Sequence, residues 1–206
     1  TTPSVSIVAD EDTAAVGQTL SVSANRSNEG LDMNAPITNQ EFVAFGWFLV
    51  DATGKELERL DSKNQDGDNK PVLQETYTVV EKTAGNRKTA GNYIVCRMFA
   101  HDTNDKWTTL AESKPIPVAY SLKASDYYRS TIKTEGYVTQ GDPLSYTGKV
   151  IAKHDATVSE PKWYDPNGEE VKPGSEGFLR AAENGEYTLK ATVTAPNFSE
   201  IVTLAT

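Results

Sequence analysis

Short runs of alternating apolar and polar residues fill the chain, and no stretch sustains a helical period over three or more turns. Period-2 runs broken by Gly, Asn, Asp and Pro are the mark of half-buried β-strands. Ser4 to Ala9 opens the pattern, with Val5, Ile7 and Ala9 on one parity. Gly17 and Gln18 introduce a second strand in which Leu20, Val22 and Ala24 share a face. The polar stretch from Asn25 to Gln40 predicts a long loop. Phe42 to Asp51 is the most apolar run, and Phe45, Trp47 and Leu49 fall on one side of it. It leads into DATGK, where Thr53-Gly54 predicts a tight turn. Asp61 to Lys70 is too polar to bury and reads as a mobile loop. Strand character returns over Val72 to Val80, Gly91 to Ala100 and Trp107 to Ala119.

The second half repeats this order. Gly141-Asp142-Pro143 introduces Leu144, Tyr146, Gly148 and Val150, as Gly17 introduces Leu20 to Ala24. Lys162-Trp163-Tyr164 runs into Asp165-Pro166-Asn167-Gly168, matching Trp47 and its DATG turn. Gly177 to Ala181 then precedes Gly185 to Ala191, which matches Gly91 to Met98, and Glu200 to Thr206 closes the chain. The repeat is one of architecture rather than identity. It predicts an all-β protein of two tandem immunoglobulin-like, Greek-key β-sandwich domains, residues 1–119 and 120–206. The boundary near Pro117 to Ser121 has no Gly/Ser linker, so a semi-rigid pair is expected. Trp47 and Trp163 are each expected to plug the centre of a separate two-sheet core.

Length agrees with this division, because 206 residues are near twice the ~100 of one such sandwich. Only 37% of residues are hydrophobic, which suits thin sandwiches solvated on their outer faces. Three Trp and many Tyr and Phe argue against disorder. The net charge of −9 repels phosphate backbones and makes nucleic acid a poor partner. Cys96 is the single cysteine, so no intrachain disulfide forms. The chain is expected to fold in a reducing cell, or to belong to a lineage without the bridge. No apolar run reaches the ~20 residues that span a bilayer. The start, TTPSVSIVADEDTA, lacks the basic and apolar regions of a signal peptide.

The segments GNYIVCRMFAHD and GEYTLKATVTA resemble the penultimate strand of bacterial and phage immunoglobulin-like or PKD-like domains. Cys96 stands on the strand where the immunoglobulin family places its second bridge cysteine, and Leu20 or Val22 stands where the first would be. Tyr93 precedes Cys96 by three residues, not the two of the family's tyrosine corner. More narrowly, YTLKATVTAPNFSEIVTL and the Cys96 strand are similar to domains of the Hoc proteins. Those are non-essential outer capsid decorations of tailed bacteriophages, built from strings of immunoglobulin-like domains. The resemblance covers the protruding domains and not the family's capsid-docking domain. It implies a capsid or other surface protein as partner, held through a region outside this chain.

Candidate chemistry is sparse. The only histidines, His101 and His154, fall one in each proposed domain and read as surface residues at strand ends. Cys96 lies mid-strand among apolar neighbours and reads as an inert core thiol. No phosphate loop, HExxH or CxxC pattern occurs, so neither an enzyme nor a cofactor is expected. Calcium favours clustered oxygens on turns. Asp10-Glu11-Asp12, Asp66-Gly67-Asp68-Asn69 and Asp102-Thr103-Asn104-Asp105 have that composition. None completes a ligand spacing, and turn formation is the plainer reading. Asp102, Asn104 and Asp105, beyond the penultimate strand of the first domain, are the candidate metal ligands. Trp107, Tyr127 and Tyr128 are the candidate glycan platform, since aromatic faces stack on sugars; core packing explains them at least as well.

The expected function is a non-enzymatic virion surface protein: a monomeric phage capsid decoration that projects from the head. It would attach weakly to host surfaces or glycans, with many copies summing to avidity. The alternative is a bacterial cell-surface adhesin or carbohydrate-binding accessory module, stabilised by calcium. Calcium raising the melting temperature would separate the second from the first.

Overall fold

The computed structural model describes residues 3–25, 40–61, 75–82, 87–102, 107–130, 143–144, 150–174, 179–180 and 183–205. The fold is all-β, with a short 3-10 turn at Ala124–Asp126. The chain divides into two compact units, Thr1–Tyr120 and Ser121–Thr206.

Unit 1 is built from two sheets. The first joins β1 (Ser4–Val8), β3 (Thr19–Asn25) and β6 (Thr76–Thr78) in the order β1-β3-β6. The second contains β2 (Ala14–Ala15), β4 (Gln40–Val50), β5 (Glu56–Arg59), β7 (Tyr93–Asp102), β8 (Trp107–Glu112) and β9 (Ile116–Ala119). Its order is β2-β9-β7-β4-β5, with β8 also on β7. The opening segment therefore serves both sheets. β1 pairs antiparallel with β3, Val5 opposite Ala24, and β2 then pairs parallel with β9, Ala14 opposite Val118. The exposed Asp10-Glu11-Asp12 lies in the bend between β1 and β2.

The inward parities meet as expected from period-2 geometry. Val5, Leu20, Phe45, Trp47, Leu49, Ile94, Cys96 and Met98 join one buried cluster. Trp47 is fully buried, and its indole stacks on Tyr77 at 5.8 Å between ring centroids. A second apolar face was not expected. Phe48, Val50 and Val95 are buried on the opposite side of the same sheet, with Tyr93 and Phe99 packed against them. Gly46 lies beneath these rings: a Cβ there would come within 2.9 Å of both Phe48 and Phe99.

The last strand of unit 1 is broken. β8 pairs with the far half of β7 and β9 with its beginning. Pro115 falls between them and has no N–H to give a ladder. Ser113 bridges the break, because its hydroxyl accepts the buried Cys96 amide at 2.9 Å and its own amide donates to the Cys96 carbonyl. Both buried polar groups are thereby satisfied.

In unit 2 the largest sheet runs β13 (Thr157–Val158), β17 (Thr188–Ala195), β14 (Lys162–Tyr164), β15 (Glu170–Val171), with β18 (Phe198–Ala205) also paired to β17. Two shorter pairings join β10 (Tyr128–Ser130) to β12 (Val150–Ala152), and β11 (Pro143–Leu144) to β16 (Leu179–Arg180). β17 alternates strictly, burying Leu189, Ala191, Val193 and Ala195. Trp163 departs from expectation. It is half-buried rather than central, in a small cluster with Tyr187 and Val171. The reason is strand length: β14 has three residues and β15 two, against eleven and four in β4 and β5.

The turns matched in sequence are matched in hydrogen bonding. In the first, Asp51 Oδ1 accepts the amides of Thr53 and Lys55, and the Gly54 amide reaches the Asp51 carbonyl. In the second, Asp165 Oδ1 accepts the amides of Asn167 and Glu169, and the Gly168 amide reaches the Asp165 carbonyl. Gly54 and Gly168 supply the left-handed residue each turn requires, at φ of 88° and 81°. The Thr53 hydroxyl, foremost, and the Lys55 amide hold the Asp51 carboxyl below its ordinary range.

Candidate binding surfaces

Asp102 ends β7 opposite Gln40, while Asn104 and Asp105 lie outside the described residues. Asp66 to Asn69 also lie outside them. Among the described residues, no group of three or more His, Cys, Asp or Glu is placed to hold a metal ion. Trp107 opens β8 opposite His101. Tyr127 is not a platform. It is fully buried, its ring stacks on Phe198 at 4.7 Å, and its hydroxyl donates to the Ser121 carbonyl and accepts the Ser121 amide. A ring enclosed in this way offers no face to a sugar. Tyr128 begins β10 opposite Ala152 and is half-buried.

His101 lies in β7 of unit 1, and His154 in unit 2 on an exposed turn with φ of 53°. Cys96 is buried, and desolvation, with the nearby Asp61 charge second, pushes its thiol up to about 12. The thiolate is the reactive form, so this thiol is inert in the native state. A thiol-specific reagent at pH 8 is expected to leave native protein unmodified and to react fully once denaturant is added. Stability should also fall above pH 9. The unfolded thiol ionises from its ordinary 9.0 while the folded one holds its proton to about 12, so between them the unfolded state binds fewer protons. Burial also raises the Tyr77 phenol, which acts in the same direction. Cys96→Val should reduce the alkaline slope without abolishing it. Rapid modification of the native thiol would sink this account.

The outer sheet faces carry a correspondence that sequence reading missed. Trp47 pairs with Cys96 across β4 and β7, and Trp163 pairs with Leu189 across β14 and β17. One residue later in each strand stand an aromatic ring and a cation. In unit 1 these are Phe48 and Arg97, with the guanidinium carbon 4.3 Å from the ring centroid. In unit 2 they are Tyr164 and Lys190, with Nζ 5.2 Å from the centroid. The available signal was the residue after each matched tryptophan, which falls on the opposite face.

The two faces differ in electrostatics. In unit 1 the Arg97 fork donates to Glu56 and to Glu112, the latter at 2.6 Å. Arg59 lies 5.8 Å from the same Phe48 ring and makes a two-point pair with the buried Asp61, at 2.7 and 3.1 Å. Each of these cations is neutralised, and they cover the ring, which is 6% exposed. This face is closed. In unit 2 neither Lys190 nor Lys162, directly opposite it on β14, is ion-paired among the described residues.

No protein-family model matches the chain, and no curated protein matches it. Among solved structures, it is similar to the three N-terminal domains of the Highly Immunogenic Outer Capsid protein (Hoc) of bacteriophage RB49. The similarity covers 98% of this chain and 58% of that one, at 14% identity and a TM-score of 0.31. This chain thus spans less than two thirds of the Hoc structure. The resemblance is weak, and no residue role is carried over from it.

Unit 2 also holds a tyrosine fixed to backbone. The Tyr187 hydroxyl lies 3.2 Å from the Glu183 carbonyl and 3.3 Å from its amide, at the entry to β17. Tyr187 precedes Leu189 by two residues, the spacing that Tyr93 lacks before Cys96. A tyrosine fixed to backbone upstream of the penultimate strand is the tyrosine corner of immunoglobulin-type sandwiches. The signal for it in the sequence is Gly185-Glu186-Tyr187.

Proposed function

We propose that the chain comprises two immunoglobulin-like sandwiches in tandem, residues 1–119 and 120–206, acting as a non-enzymatic surface module. The observation that carries the fold reading is the division of the opening segment in unit 1, β1 to one sheet and β2 parallel to the final strand of the other. Trp47 and Cys96, side by side on adjacent strands of one sheet and both buried in the core, and the Tyr187 corner in unit 2 support it further. The non-enzymatic reading rests on an inert thiol and on histidines belonging to separate units.

Within that reading, the sequence resemblance to Hoc-type domains favours a phage capsid decoration at the virion surface. It would attach weakly to host surfaces or glycans and be anchored through a region outside this chain. Small sandwiches hold loops and sheet faces clear of a large particle, and repetition on that particle turns weak contacts into avidity. The test is localisation. Antibody against the chain should label the heads of intact particles from a lysate that produces it. Label confined to the bacterial envelope would replace the decoration with a cell-surface adhesin.

A further inference from the structure

We propose that the outer face of unit 2, around Tyr164, Lys162 and Lys190, binds a short acidic saccharide. The proposal deepens the attachment reading and rests on it. Lys162 and Lys190 are directly opposite partners on β14 and β17, so two like charges are held side by side. Such pairs destabilise a sheet unless something offsets them. Neither lysine has a carboxylate partner among the described residues, although Glu170 stands opposite Tyr164 on the next strand. At the matching place in unit 1, position 46 is glycine in the slot opposite Arg97, and Glu56 and Glu112 neutralise that arginine. Unit 1 neutralises its cation here; in unit 2 the exposed Lys162 and the half-buried Lys190 have no ion pair among the described residues.

The surroundings suit a sugar. Tyr164 is half-buried, and Lys190 Nζ lies over its ring at 5.2 Å from the centroid, so an aromatic ring stands next to the charges. Thr188 is opposite Tyr164, Thr203 is opposite Lys190, and Thr192 lies two residues further along β17. Ile201, opposite Thr192, is 69% exposed and adds an apolar contact at the far end of the same face. Cation, hydroxyl and apolar or aromatic surface on one sheet face suit the carboxylate or sulfate, the hydroxyls and the C–H face of an acidic sugar. The net charge of −9 limits the length, since a long polyanion would meet the rest of an acidic surface.

The test is titration of the whole chain with short oligogalacturonates, short heparin oligosaccharides and neutral dextran fragments of similar length. Binding is expected to one or both acidic series and not to dextran, and to weaken as salt rises. A preference between the two acids would separate carboxylate from sulfate recognition. Lys162→Glu and Lys190→Glu should each weaken binding about tenfold or more, a loss of one interaction of ordinary strength. Lys162→Thr serves as the folding control: its melting temperature should hold or rise, because a like-charge pair is removed, while affinity falls. Binding that survives these substitutions would overturn the site and leave the attachment reading standing. Equal binding to dextran, or none to either acid, would also overturn it. The localisation experiment decides the attachment reading separately.

Discussion

Trp47→Ala is expected to lower the stability of unit 1 by about 4 kcal/mol, the usual loss for a large aromatic deleted from a packed core. Three features support a loss of that size. The indole is fully buried, it stacks on Tyr77, and it faces Cys96 at the middle of the longest strand pairing. The groups left behind, among them Leu20, Leu49 and Ile94, are held by strand pairing and cannot collapse into the space. A small domain is stable by only about 5–15 kcal/mol, so the variant should sit close to its unfolding threshold. Trp163→Ala supplies the contrast. That indole is half-buried among Tyr187 and Val171, and its loss should cost unit 2 only about 1–2 kcal/mol. Urea denaturation of both variants measures the difference. Equal losses would refute the claim that the two tryptophans sit in unequal cores.

Gly185→Ala should cost unit 2 about 3 kcal/mol, from two independent causes. Gly185 has φ of 141°, a conformation that side chains disfavour. A Cβ there would also lie 2.5 and 2.6 Å from Pro166 Cγ and Cβ, closer than packed atoms approach. Pro166 is fixed in turn by the Asp165 turn, whose carboxylate accepts the amides on its far side. Backing away would disturb that turn, and the alternative is to move the Gly185 strand entry, which carries the Tyr187 corner. Pro166→Gly, which removes both clashing carbons, separates the causes: in the Gly185→Ala background it should recover the steric part and leave the conformational part. A double-mutant cycle without coupling would show that the contact with Pro166 is not what requires glycine.

Much of the strand pattern was legible because side-chain parity is a local property. Val5, Leu20, Phe45, Trp47 and Leu49 fall into one core as their spacing requires. The two Asp-to-Gly turns were legible for a similar reason, since a carboxylate reaching amides two and four residues ahead uses only its own neighbourhood. Parity also misled. It showed Phe45, Trp47 and Leu49 on one face, but not that Phe48 and Val50 opposite would be buried as well. A run apolar on both parities is the sign of a strand covered on both sides, and Phe42 to Val50 carried it.

The candidate sites were read less well. Tyr127-Tyr128 fits a platform or core packing equally in sequence, because whether a ring is presented or enclosed depends on what packs over it. For Tyr127 that partner is Phe198, far along the chain. The two aromatic–cation pairs were within reach once Trp47 and Trp163 were matched, yet their difference was not. Arg97 is neutralised by Glu56, 41 residues before it, and Glu112, 15 after it.

By itself, then, the amino-acid order determined the all-β class, the inward side of most strands, the paired turns and the scarcity of histidine and cysteine. Each follows from period, turn chemistry or residue inventory, which act over a few residues. The folded chain alone decided how deeply each tryptophan is set, which tyrosine is enclosed and which cations remain unneutralised. Those depend on strand register between distant segments, and register is fixed by the whole sheet rather than by any one stretch of it.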